Sequence, residues 1–133
     1  MMNLRHFLAL MLLCSASLLH AKGQESLNLR RGGSKQVPEV VWQTDGLRVL
    51  DLSKNDIVEL PDSIASLQLS ELRLQRTYVT AFPAAVKDSP LARSLRLLDM
   101  RGCRLTEAQQ GSIKELFPNT KILWDDPCEC GAD

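Results

Sequence analysis

The segment Leu47-Arg48-Val49-Leu50-Asp51-Leu52-Ser53-Lys54-Asn55-Asp56-Ile57-Val58-Glu59-Leu60-Pro61 decides how this chain is read. Leu50 and Leu52 alternate with Val49, Asp51 and Ser53, the period of a strand that buries one face and presents the other. So short a strand cannot bury that face alone, which directs attention to further copies. A second copy begins at Leu69 and carries Leu72, Leu74, Thr77, Val79, Phe82 and Pro83 in matching places; a third begins at Leu95 with Leu98, Met100, Cys103 and Leu105. The frame extends back to Leu27, Leu29, Gly32, Val37 and Pro38, and forward to Phe117, Thr120 and Ile122. Starts at Leu47, Leu69, Leu95 and Phe117 are separated by 22, 26 and 22 residues. The resulting division is four repeats over 24–46, 47–68, 69–94 and 95–116, and a half-repeat over 117–124.

The pattern LxxLxLxxNxIxxLP resembles the leucine-rich-repeat family over residues 24–124. The resemblance implies an α/β solenoid, a right-handed horseshoe arc. It would carry a short parallel sheet on its concave face and turns, 3-10 or α-helical segments on its convex face. Extracellular animal members usually carry four-cysteine caps on both flanks. With none at the N-terminal flank, this chain is closer to small exported bacterial members. Such proteins are mostly scaffolds for protein recognition, with the concave sheet as the usual contact surface, a step of analogy from fold to function.

Physical chemistry accounts for the residue types at each place. Asn55, Thr77 and Cys103 stand where the chain leaves the strand, and their side chains can bond backbone groups that would otherwise be buried unpaired. Gly32 cannot, which marks the first repeat as degenerate and cap-like. Pro38/Val41, Pro61/Ile64 and Pro83/Val86 share one spacing, with proline expected at the first position of a helical turn. Thr106 and Gln109 have the spacing of a capping box, and Ala108, Ile113 and Leu116 would form one apolar face, so a full helix is expected there. The four extra residues of the third repeat, around Lys87-Asp88-Ser89-Pro90, read as a convex-side loop. The last strand, Lys121 to Trp124, is followed by Asp125-Asp126-Pro127, which ends pairing by charge and by a missing donor and gives the C-terminus a finished look.

Residues 1–21 differ from everything after them. Arg5 and His6 precede the apolar run Phe7 to Leu13, then small residues and Leu18-Leu19-His20-Ala21, the order of a secretory signal. Cleavage after Ala21 is preferred over cleavage after Ala16, and the run is shorter than the roughly 20 residues that span a bilayer. The expectation is a secreted or periplasmic protein with no stable membrane insertion after cleavage. Sixteen Lys plus Arg balance sixteen Asp plus Glu, so the overall field gives no reason to expect nucleic acid as a partner. Both histidines, His6 and His20, fall within the signal. Their removal takes away Ser-His-Asp, Cys-His and histidine metal sites, and the chain reads as a non-enzyme without cofactor or metal.

Equivalent positions on adjacent strands lie about 4.8 Å apart, so the concave face can be read by column. One column runs Asn28, Asp51, Arg73, Asp99, Lys121; its alternating signs suggest charges that pair across the sheet. The next runs Arg30, Ser53, Gln75, Arg101, Leu123, and beyond it stand Arg31, Lys54, Arg76 and Gly102. The last two columns form a basic edge, either a solvated rim or a surface for acidic groups on a protein or glycan, with Val49 and Leu97 adding apolar contacts on the other flank. Candidate partner-binding residues are therefore Arg30, Arg31, Val49, Ser53, Lys54, Arg73, Gln75, Arg76, Leu97, Asp99 and Arg101. Residues 125–133 form a tail with Cys128-Glu129-Cys130. In an oxidising compartment that pair could close a strained ring, bridge to Cys103 or link to another molecule. A thiol redox or soft-metal role of Cys128 and Cys130 is the alternative to a protein-interaction module.

Overall fold

The computed structural model describes residues 25–125. Its strands are β1 (Ser26–Asn28), β2 (Val49–Asp51), β3 (Glu71–Arg73), β4 (Leu97–Asp99) and β5 (Lys121–Leu123), all parallel and adjacent in chain order. Each strand is three residues long and centred on the first leucine of LxL; the second lies just past the strand, where the chain turns out of the sheet. Leu27, Leu50, Leu72 and Leu98 stand opposite one another in consecutive strands. Together with Leu52, Leu74 and Met100 they form the inner wall of a continuous core, where Leu50, Leu52, Leu72, Leu74 and Leu98 are wholly buried. A fully buried leucine contributes about 2 kcal/mol, so repetition of one side-chain shape supplies the driving force repeat by repeat.

The convex wall is built from short helical pieces: α1 (Val40–Gln43), 3-10 turns at Asp62–Ser66 and Ala84–Val86, α2 (Pro90–Ser94) and α3 (Glu107–Leu116). The repeated proline is used differently from the expectation. Pro61 and Pro83 precede their turns in extended conformation, and their carbonyls accept from the N–H three residues on, Ile64 and Val86 at 3.0 Å each. Pro38 serves Val41 in the same way at 3.1 Å. This places Val41, Ile64 and Val86 in the core with no exposed surface. The extra residues form a turn at Lys87 and Asp88, as expected, but the segment goes on directly into α2, with Ser89 as its N-cap and Pro90 as its first residue. Ser89 accepts from the Ala92 N–H at 3.2 Å, Pro90 occupies the first turn, and Leu91 and Ala92 are buried.

Helix α3 has the anticipated capping box. The Thr106 hydroxyl accepts from the Gln109 N–H, and the Gln109 amide oxygen accepts from the Thr106 N–H. Its contact face is narrower than expected: Ile113 is buried and Leu116 half-buried, but Ala108 is exposed. Phe117, just beyond the helix, is buried and meets Phe82 edge-on at 5.0 Å between ring centres.

That role of Phe117 corrects the frame of the last half-repeat. Leu98 pairs with Ile122 and Asp99 with Leu123, so Ile122 matches the first leucine of LxL and Trp124 the second. The fourth repeat is thus two residues longer than the spacing from Phe117 implies, because Phe117 packs from the convex side. Lys121 moves opposite Leu97, and Leu123 enters the column of Asp99.

The ladder side chains act as anticipated. Asn55 donates to the carbonyls of Leu52 at 2.8 Å and Leu29 at 2.9 Å and accepts from the Ser34 N–H at 3.1 Å, tying the second repeat to the first. A side chain at Gly32 would place its Cβ 3.2 Å from the Asn55 amide oxygen, which explains the small residue there. Thr77 donates to Leu74 at 2.9 Å, and the Cys103 thiol donates to the same carbonyl at 3.0 Å. A second ladder, not anticipated, lies at the strand entrances. The hydroxyls of Ser94 and Thr120 donate to Leu69 and Leu95 at 2.7 and 2.8 Å.

Replacing Asn55 by alanine removes a partner from the carbonyls of Leu52 and Leu29 and from the Ser34 N–H at the junction of two repeats. The expected cost is about 3 kcal/mol, read as a lowered urea midpoint at unchanged slope.

Candidate functional site

The concave face holds a shallow depression of about 200 Å³ over the centre of the sheet. Its charges do not pair across the strands as the alternating column suggested. Arg73 bonds Glu71 of its own strand at 2.5 Å, and Arg101 bonds Asp99 at 2.7 and 3.0 Å. Residues two apart on a strand share a face, and the long arginine reaches back to its neighbour. The link between repeats is diagonal, from the Gln75 amide to Asp99. Asp51 accepts from the N–H of Ser53 at 2.9 Å. Burial alone would push the Asp99 carboxyl up. The hydrogen bonds from the Arg101 side chain, Gln75 and the Arg101 backbone, with the charge of Arg101, outweigh it and hold the carboxyl below the usual range.

These contacts divide the candidate residues. Ser53 and Asp99 are buried, so neither offers surface to a partner. Gln75, Val49 and Leu97 are half-buried, and Glu71, missed by the sequence reading, stands between Val49 and Leu97 in one column. Arg73 and Arg101 are exposed but carry the two ion pairs among the described residues. Arg30, Arg31 and Arg76 are exposed and Lys54 half-exposed, with no carboxylate in ion-pair contact among the described residues.

The outer basic column has an unusual backbone. Arg31, Lys54 and Arg76 have φ of 59°, 58° and 52°, and Gly102 continues the column at 80°. Here the strand leaves the sheet, and each N–H donates to a carbonyl of the next repeat: Arg31 to Ser53, Lys54 to Gln75 and Arg76 to Arg101, at 3.1, 2.8 and 2.9 Å. Left-handed backbone costs a side-chain-bearing residue on the order of 1–2 kcal/mol, which glycine avoids. Three cations occupy these places. Desolvation by neighbouring side chains and then the charges of Arg31, Arg30 and Arg76 push the Lys54 ammonium below its ordinary value.

Gly102 ends this column, and beyond it a strand carbonyl is replaced by a side chain. Both oxygens of Asp125 lie 2.8 Å from the Gly102 N–H. A methyl group at Gly102 would come within 2.6 Å of Arg76 Cγ, so the Arg76 stem lies directly across the glycine. Next to it the exposed ring of Tyr78, Arg104 and Asp125 border a wide groove of about 690 Å³, a feature that the column reading overlooked.

Cys103 lies beneath that groove, 5% exposed. Burial pushes its thiol up, and nearby Asp125 and Asp99 reinforce the shift against the hydrogen bond of Thr77. The thiol is free and serves the ladder, as expected for a structural cysteine. Cys128 and Cys130 lie outside the described residues, as does the signal sequence.

With this geometry in view, the fold defines the class: an open parallel sheet, one strand per repeat, with a polar ladder at each turn. The family description Leucine Rich Repeat matches residues 46–67, one full repeat unit. A solved structure of a leucine-rich-repeat protein from Leptospira interrogans is similar to this chain, with 26% identity and a TM-score of 0.58. The match covers 66% of this chain and 22% of that one, so the chain spans only part of that protein's length. No curated protein matches the chain. The chain thus carries a leucine-rich-repeat unit at residues 46–67 and shares the fold of leucine-rich-repeat proteins, which generally act as interaction scaffolds.

Substituting alanine for Gly102 forces a methyl group into left-handed backbone and against Arg76. Stability is expected to fall by about 2 kcal/mol in urea denaturation. Cys103 is expected to resist a thiol-specific disulfide reagent at pH 8 in the folded protein and to react at once in guanidinium. Fast reaction of the folded protein would contradict its burial.

Proposed function

We propose that this chain is an exported, non-enzymatic module that binds another protein through the concave face and its basic edge. The observation that carries this reading is the column Arg31, Lys54 and Arg76. Three cations stand in strained left-handed backbone, in mutual repulsion, where glycine or asparagine would cost less. Strain and like-charge crowding at one edge are a stability cost that a partner's acidic groups would offset. Arg30 adjoins the column on its concave side, while Arg73 and Arg101, held by Glu71 and Asp99, present ordered guanidinium faces. Fixed arginines bind at lower entropy cost than free ones and favour planar acceptors such as carboxylates.

The partner is a protein with an acidic patch, met outside the inner membrane, either in the periplasm or after secretion. The amino-terminal Arg5 to Ala21 segment supports export by its charge and apolar order.

Asparagine tolerates left-handed backbone and carries no charge, so it separates stability from binding. The triple variant Arg31→Asn, Lys54→Asn, Arg76→Asn is expected to unfold at the same midpoint as the parent or higher. Affinity for the partner captured by the mature protein is expected to fall by at least about tenfold, a loss near 1.4 kcal/mol. Unchanged affinity would remove the basic edge from the interface. A Cys128→Ser, Cys130→Ser variant is expected to retain binding; its failure would favour the thiol reading instead.

A further inference from the structure

The groove beside Gly102 lies on the loop side of the solenoid, around the corner from the sheet. Its recognition groups are Arg76, Tyr78, Arg104 and Asp125, with the Thr80 hydroxyl at its wall. We infer that this groove is a binding site for an acidic saccharide, a chain containing uronic acid units, adjoining the basic edge at Arg76.

Four observations on these residues converge on that class. Tyr78 is 62% exposed, the most exposed of the large hydrophobic side chains on the described surface. Its N–H is held by the Ile57 carbonyl at 2.9 Å, so the ring projects from a fixed backbone. A flat ring of this kind offers an apolar platform to the C–H face of a sugar, with a hydroxyl at its rim. Arg76 and Arg104 supply forked donors that match a carboxylate. Asp125 supplies the opposite function: its oxygens accept from Gly102, and each keeps a lone pair for a hydroxyl donor.

The combination separates two ligand classes. An acidic peptide would gain from the arginines but meet repulsion from Asp125, and it has few hydroxyls for that carboxylate. A uronic acid brings both a carboxylate for Arg76 or Arg104 and hydroxyls for Asp125. The volume of about 690 Å³ lies within the range of small-ligand sites, with room for a short oligosaccharide. Two cations, one anion and one aromatic ring also give a local positive balance without the charge density that draws nucleic acid.

The groove shares Arg76 with the basic edge but is tested through Tyr78 and Arg104, which lie outside that edge, so its failure and that of the protein-binding reading are distinguishable. The test is calorimetric titration of the purified protein with tetrasaccharides of polygalacturonate, alginate and hyaluronate. Their methyl-esterified forms and an oligoglutamate of equal charge serve as comparisons. Saturable binding of at least one tetrasaccharide is expected, about tenfold weaker for its methyl ester. Tyr78→Ala and Arg104→Gln should each lower affinity about tenfold without moving the unfolding midpoint, since both side chains are exposed. Arg30→Asn, on the concave side, should leave it unchanged. The proposal is overturned by an absence of binding to all three tetrasaccharides at about 10 mM. It is equally overturned if both variants keep full affinity, or if oligoglutamate binds as well as the best saccharide.

Discussion

Every repeat of this protein must turn its chain out of a parallel sheet without leaving buried backbone groups unpaired. The sheet has strands of only three residues, so the turn comes at once, and the carbonyls of Leu29, Leu52 and Leu74 must find partners among side chains. Asn55, Thr77 and Cys103 meet those carbonyls from inside the stack. The turn itself uses left-handed backbone at Arg31, Lys54, Arg76 and Gly102 so that each N–H can reach the next repeat. Core packing and the exposed basic edge are two sides of this one bend. Leucines line its inner side because the strand alternates, and cations crowd its outer side because side chains there can point only to solvent.

The same constraint explains how the described stack ends. Where the Arg76 N–H meets the backbone carbonyl of Arg101, the Gly102 N–H one repeat on meets the side-chain carboxylate of Asp125, just past β5, instead. Trp124, in the core position of the last strand, is only partly covered, with the Lys114 ammonium 5.8 Å above its ring. The end of the sheet thus carries a buried-type residue under a charged cover, and a carboxylate where a peptide bond would otherwise be. One result is chemical variety: an acceptor, two guanidiniums and an aromatic ring come together at this end of the arc.

On the concave face, electrostatics follow the strand more than the sheet. Cross-strand neighbours of opposite sign were available at Asp51, Arg73 and Asp99. Arginine instead closes on the carboxylate two residues away, as with Arg73 on Glu71 and Arg101 on Asp99. The same-strand contact fixes only one flexible side chain against a short acid, so its entropy cost is low. These pairs are partly exposed and contribute little to stability, but they orient guanidinium groups on the face most accessible to a partner.

Repetition made the architecture legible in the residues: the LxL period, the ladder position and the capping box at Thr106 each reflect a local rule that acts within a few residues. The parallel sheet of Leu27, Leu50, Leu72 and Leu98 follows from those rules, because identical units can bury their apolar faces only by stacking. What needed tertiary structure was everything set by contacts between units or at their ends. The register of β5 depended on Phe117 packing against Phe82 from the convex side, and no local spacing encodes that. The choice of charge partners depended on side-chain reach, the start of α2 at Pro90 on burial of Leu91, and the groove at Tyr78 on the Asp125 carboxylate closing the last turn. Sequence determined the repeating unit because its forces are local and periodic. The fold decided the boundaries and the surface sites because there the period breaks, and the neighbour that satisfies each group is distant in the chain.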